Sequence, residues 1–209
     1  MNQTKEAYMK GAVKKLFWSF CFLVFATFAL VFYVPIRYLG IPVDPDFGVV
    51  HFSGAQVEYF DVFGDNGRAL WQQVRQKGPN GGNADAVTEW NMAWQFEKVT
   101  TGDGTCSTRN PKVTYTIKVI FPRWADPQRA PYALLKGWQD YINGIARHEQ
   151  HHVNIVLENA GQVEQAILQA GCGNAEDAAQ KAYDEIVLLQ EQYDRETDNG
   201  RLEGIVFPA

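Results

Sequence analysis

From Leu134 onward the apolar residues fall at helical spacing: Leu134, Leu135, Trp138, Ile142, Ile145, Val156, Val163 and Ile167 form one stripe that stops at Gly171. A second stripe, Ala182, Ile186, Leu189 and Tyr193, follows Asn174, a good N-cap, with Glu176 and Asp177 in the positive first turn; Gly200 ends it. The link Gly171-Cys172-Gly173 is so short that the two predicted helices must fold back as an antiparallel hairpin.

The inward face of the first helix carries His148-Glu149-Gln150-His151-His152, which holds three of the four histidines in the chain. At about 100° per residue, His152 sits roughly 40° from His148, so both imidazoles leave one face a turn apart and can converge on one ion. Glu149 lies roughly 60° beyond His152, placed to hold a water and take its proton without joining the ligand set. Two histidines and a carboxylate in this HExxH pattern suit zinc. A solvated polar turn is the plain alternative, but Ile145, Ala146, Val153, Ile155 and Val156 flank the motif. His151 points to the side of His148 away from Glu149.

A third ligand is sought across the hairpin. With the turn centred between residues 172 and 173, His148 lies opposite Thr197 and His152 opposite Tyr193, so the window is 193–199. Asp194, one step from Tyr193 and on the face of Thr197, is the chosen ligand; Glu196 and Asp198 are the other acidic residues there, and Glu158 lies farther along the motif's own helix. Tyr193, Thr197 and Asn199 are candidates for an oxyanion contact or for support of the ligands.

The rest of the chain supplies a sheet and a membrane segment. Val49 to Val62 reads as one or two strands, Asp65 to Gln76 as a short helix ending before Gly78-Pro79, and Asn80 to Asp85 as a polar loop. Trp90, Met92, Trp94 and Phe96 alternate with polar residues, as do Val113, Tyr115, Ile117 and Val119, which predicts two paired strands joined through the Cys106 loop; Pro122 is expected to end the second. Leu16 to Val34 is an uncharged apolar run of roughly 28 Å as a helix, about the thickness of a bilayer's hydrocarbon. Four lysines precede it and only Arg37 closely follows, which predicts a cytoplasmic N-terminus and an exported C-terminal part, periplasmic or extracellular. A cleaved signal peptide would have a shorter apolar region and a small-x-small site, which Ala26-Thr27-Phe28-Ala29 matches poorly. Export would allow Cys106 and Cys172 to pair, and a disulfide between them is expected. The net charge of −5 and the lack of a basic patch exclude nucleic acid as a partner.

Several segments together are familiar: Tyr59-Phe60-Asp61-Val62-Phe63-Gly64 leading to Gly78-Pro79, Phe121-Pro122-Arg123-Trp124, the HExxH motif, and Tyr193-Asp194-Arg195-Glu196-Thr197-Asp198-Asn199-Gly200. The chain resembles a bacterial family of uncharacterised, predicted secreted zinc-dependent proteases, zincin-like in their motif. That family commonly has His before the glycine of the last segment, where this chain has Asn199. An amide is a poor zinc ligand but still donates a hydrogen bond.

The fold expected is α+β: residues 1–15 cytoplasmic, a transmembrane signal anchor at 16–34, a linker at 35–48, and a zincin-like domain at 49–209 with a small antiparallel sheet and a C-terminal helical hairpin. The function expected is that of a membrane-anchored zinc metallopeptidase acting on peptides or proteins, with His148, His152 and Asp194 on Zn²⁺ and Glu149 as general base. The alternative is a membrane-tethered envelope domain that binds without cleaving, its metal structural or lost.

Overall fold

The computed structural model describes residues 47–208. Three strands, β1 (Gln56–Val62), β2 (Val87–Thr100) and β3 (Cys106–Trp124), form one sheet in the order β1-β3-β2. β2 and β3 are an antiparallel hairpin in which Trp90 faces Ile117 and Trp94 faces Val113. Both strands outrun their alternating segments because a bulge absorbs the irregular stretch: two β3 residues, Asn110 and Pro111, lie opposite Phe96 alone, and Asn110 takes φ of 50°. The expected all-antiparallel sheet needs correcting, since β1 runs parallel to β3, from Gln56 beside Lys118 to Val62 beside Trp124. Pro122 does not end β3 either. β2 pairs with β3 no farther than Ile120, so beyond it β3 is bonded on the β1 side only, where a proline is tolerated. Next to it, Arg123 grips Asp61 of β1 with two hydrogen bonds of 2.7 and 3.1 Å.

Between β1 and β2 lies helix α1 (Gly67–Lys77), capped by the Asn66 side chain, which accepts from Ala69 N. Leu70 and Val74 are fully buried under it. Helix α2 (Tyr132–Thr197) follows β3 and is broken only at Gly171, whose φ of 66° is open to glycine at little cost. The expected cap at Asn174 is not used, because the helix resumes at once after the break. The two arms of α2 lie side by side, with His152 of the first touching Gln190 and Asp194 of the second.

The sheet packs on both arms. Trp90 and Trp94 of β2 sit 5.0 and 6.1 Å from the Tyr183 ring, and Thr108 of β3 donates to Ile167 O at 2.8 Å in a buried position. Val119, Phe121, Trp138, Ile142, Val156, Val163 and Ile186 fill the core between. Tyr115, expected on the inward stripe, is exposed instead.

The expected membrane architecture is also corrected. Among the described residues no helix is long and apolar enough to cross a membrane, the 66-residue α2 included, since charged residues such as Arg147, Glu158, Glu164 and Lys181 recur along it. The structure supports an α+β domain of a three-stranded sheet and one long broken helix, and it does not support a single-pass membrane placement. The segment 16–34, on which that placement was read, lies outside the described residues.

Cys106 and Cys172 form a disulfide, Cα to Cα 5.5 Å, that ties the bend of α2 to the start of β3. Closing a loop of 66 residues restricts the unfolded chain by about 4 kcal/mol. Reduction, or Cys106→Ser with Cys172→Ser, should therefore lower the thermal midpoint by roughly 8–16 °C. An unchanged midpoint in calorimetry would show that the bridge constrains nothing.

Candidate metal centre

The four-residue spacing on α2 brings the His148 and His152 rings to 4.8 Å between centroids, with their Nε2 atoms 3.2 Å apart. Gly171 then sets what faces them. Reflection through Gly171 pairs His152 with Gln190 and His148 with Asp194, and Asp194 Oδ1 stands 3.0 Å from His152 Nε2 and 3.3 Å from His148 Nε2. Among the described residues these three alone form a group of metal-ligating side chains, and both histidines are buried.

The other ring nitrogens settle the tautomers. His148 Nδ1 lies 2.8 Å from Glu203 Oε2 and His152 Nδ1 2.5 Å from Gln190 Oε1. The Gln190 amide cannot be reversed without losing its own donation to His152 O at 3.0 Å. Each Nδ1 is thus the donor, which leaves both Nε2 lone pairs aimed at each other and at a carboxylate oxygen. Three such atoms 3.0–3.3 Å apart repel unless a cation lies among them. Tetrahedral zinc, with bonds of roughly 2.0–2.1 Å, puts neighbouring ligands roughly 3.3–3.4 Å apart, so the cluster fits that ion with little movement.

Without a metal, protons take the cation's place. Burial lowers the pKa of both imidazoles, but hydrogen bonds to Asp194, then to Glu203 for His148 and Gln190 for His152, outweigh it and hold them above the ordinary 6.5. Burial raises Asp194, but the two histidines overcome it and hold the carboxyl far below its ordinary 3.8. The signs fix a stability window for the metal-free chain. The raised imidazoles contribute fully below pH 6.5 and lose that contribution as pH rises through their elevated values; Asp194 contributes above pH 3.8 and loses it as pH falls through its lowered one. The thermal midpoint of the metal-free chain should therefore decline as pH climbs past 6.5, and zinc should remove the decline. Identical pH profiles with and without zinc would contradict this arrangement.

Glu149 is 5% exposed and opens onto the same cleft, of about 510 Å³. Thr88 of β2 donates to its Oε2 at 2.7 Å. Burial, with the Asp194 charge nearby, raises the Glu149 carboxyl above its ordinary value against the lowering effect of Thr88 and the two histidines. One wall of the cleft is the loop after α1, held by Arg75, which donates to Gly82 O at 2.9 Å and to Asp85 Oδ1 at 2.8 Å.

The other candidates are distributed differently. Asn199 lines the cleft, with φ of 51°. Thr197 is turned to the end of α2, donating to Tyr193 O at 2.8 Å and accepting from Gly200 N at 3.2 Å. Tyr193 stacks on His151 with centroids 3.9 Å apart and donates its hydroxyl to Glu203 at 2.8 Å. Glu158 and His151 are exposed, Asp198 is paired with Arg201, and Glu196 accepts from Gln192. Sequence reasoning missed Gln190, Thr88 and Glu203. Gln190 carried a usable signal, being one turn before Asp194 on the same face; the other two depend on tertiary contacts.

An α+β domain with two histidines and an aspartate gathered on a broken helix, and a buried glutamate beside them, is what fold and site define. The chain belongs to the family described as bacterial protein of unknown function (DUF922), whose model matches residues 57–201 and so spans everything from β1 to Asp194 and beyond. No curated protein and no solved structure matches the chain.

Proposed function

We propose that the protein is a zinc-dependent peptidase. The observation that carries the reading is the set of three electron-pair donors, His148 Nε2, His152 Nε2 and Asp194 Oδ1, within 3.0–3.3 Å of one another, with Glu149 beside them in an open cleft. A purely structural zinc would have four protein ligands and no need of a buried glutamate next to them. Zinc, when bound, supplies a Lewis acid that acidifies water and polarises a carbonyl.

The chain's own groups do the rest. Glu149 takes a proton from the water that attacks the peptide carbonyl and returns it to the departing amine, so that one amide bond and one water become a carboxylate and an amine. Thr88 holds the Glu149 carboxylate in place. β2 is at the sheet edge, and its residues Val87, Thr88 and Trp90 line the cleft, so an extended peptide can pair with that edge. Asn199 lines the same cleft, and its amide is the group we assign to donate to the developing oxyanion.

The test is cleavage of a mixed peptide library by the zinc-loaded chain, followed by mass spectrometry. Products that vanish with a chelator and return with zinc support the reading. Full zinc occupancy with an intact library refutes it.

A further inference from the structure

Beyond Gly200 the chain turns back over the metal centre. Gly200 has φ of 82°, and a Cβ there would stand 2.6 Å from Ile205 Cδ1 and 3.3 Å from His148 Nδ1, so the backbone passes directly over the imidazole. The short helical turn Arg201–Glu203 follows. The last residues are then pinned along the first arm of α2, Ile205 against Gly144, Phe207 4.6 Å from the Tyr141 ring, and Pro208 against Gly137. This anchorage delivers one carboxylate to a single place. Glu203 Oε2 meets His148 Nδ1 at 2.8 Å and Glu203 Oε1 accepts from Tyr193 OH at 2.8 Å, while the Tyr193 ring lies stacked 4.9 Å from His148. Both oxygens are engaged, so the carboxylate cannot swing away without breaking two hydrogen bonds. His152 has only the neutral amide of Gln190 in the equivalent position.

We propose that Glu203 is the positioning residue of the metal centre: it fixes the orientation and tautomer of His148 and makes its Nε2 a stronger donor to zinc. This rests on the zinc reading above. The physical reason is that a carboxylate accepting from the far N–H of a ligating imidazole fixes the ring and raises its basicity, and removal of such partners costs roughly 10–100-fold in metal affinity. Glu203 lies just outside the segment that the family model matches, which ends at residue 201.

The test is zinc affinity of the full chain, measured against a chromophoric chelator, for wild type, Glu203→Ala and Glu203→Gln. Glu203→Ala should bind zinc roughly 10–100-fold more weakly, and Glu203→Gln, which keeps an acceptor oxygen without the charge, should fall between it and wild type. In proton NMR of the zinc-loaded chain, the downfield Nδ1–H signal of His148 should be lost in Glu203→Ala and displaced in Glu203→Gln, with that of His152 unmoved. A general loss of folding would move both signals. If Glu203→Ala fails to fold, Glu203→Gln decides alone. Affinities within about threefold of wild type, with the His148 signal in place, overturn the proposal. A wild-type chain that binds no zinc overturns it together with the reading beneath it, and that failure is seen before any substitution is made.

Discussion

Glu149→Gln should keep its zinc and lose peptide cleavage by roughly 10²–10⁴-fold, the contribution of a well-placed general acid–base group. Glutamine has the same shape and can still accept from Thr88, so the 2.7 Å contact that holds the side chain survives. It cannot carry a proton from water to amine. Glu149 is also outside the group of His148, His152 and Asp194 that could hold the ion, so occupancy should not change. The substitution even removes a buried carboxyl whose charge burial disfavours, and the thermal midpoint should stay level or rise. Initial rates on any peptide cleaved by wild type, with metal content and a melting curve measured on the same samples, check all three. Undiminished cleavage would remove Glu149 from the chemistry.

Asp194→Ala should weaken zinc binding by more than the roughly 10–100-fold that loss of an outer partner costs, because it deletes a direct donor and leaves only two imidazoles. The same change should alter the metal-free chain. Asp194 is the leading hydrogen-bond partner that holds both imidazoles above their ordinary range, so without it burial, which lowers them, has less to oppose it and both should titrate at lower pH. NMR titration of the two histidines reads this directly. Asp194→Asn separates charge from geometry: it keeps an oxygen near the Nε2 atoms but removes the anion, and its affinity should lie between those of wild type and Asp194→Ala. Zinc affinity equal to wild type in both variants would mean that Asp194 is no ligand.

How much of this was legible depended on whether a residue's place followed from local periodicity. The histidine pair did, since four residues on a helix fix a shared face whatever surrounds it. Asp194 followed almost as closely, from folding the chain back at Gly171-Cys172-Gly173. The register was displaced because α2 breaks at one residue, Gly171, rather than through a loop centred after Cys172, and so Gln190, not Tyr193, faces His152. The disulfide was expected from an export argument that the described fold does not carry, yet the two cysteines do meet, at the bend of α2 and the start of β3. Parallel pairing of β1 was illegible because alternation reports a strand's faces and not its neighbour's direction. Asn110-Pro111 lies outside both alternating segments and is a bulge inside β3. Glu203 lies in a tail with no period at all, where only packing against α2 decides what it touches.

The most direct test of the central claim is a zinc titration of the metal-free chain, carried out beside the His152→Ala variant. The wild-type chain should bind one equivalent with submicromolar affinity, and the variant none at that level. Absence of binding at micromolar zinc, or equal binding by the variant, would contradict it.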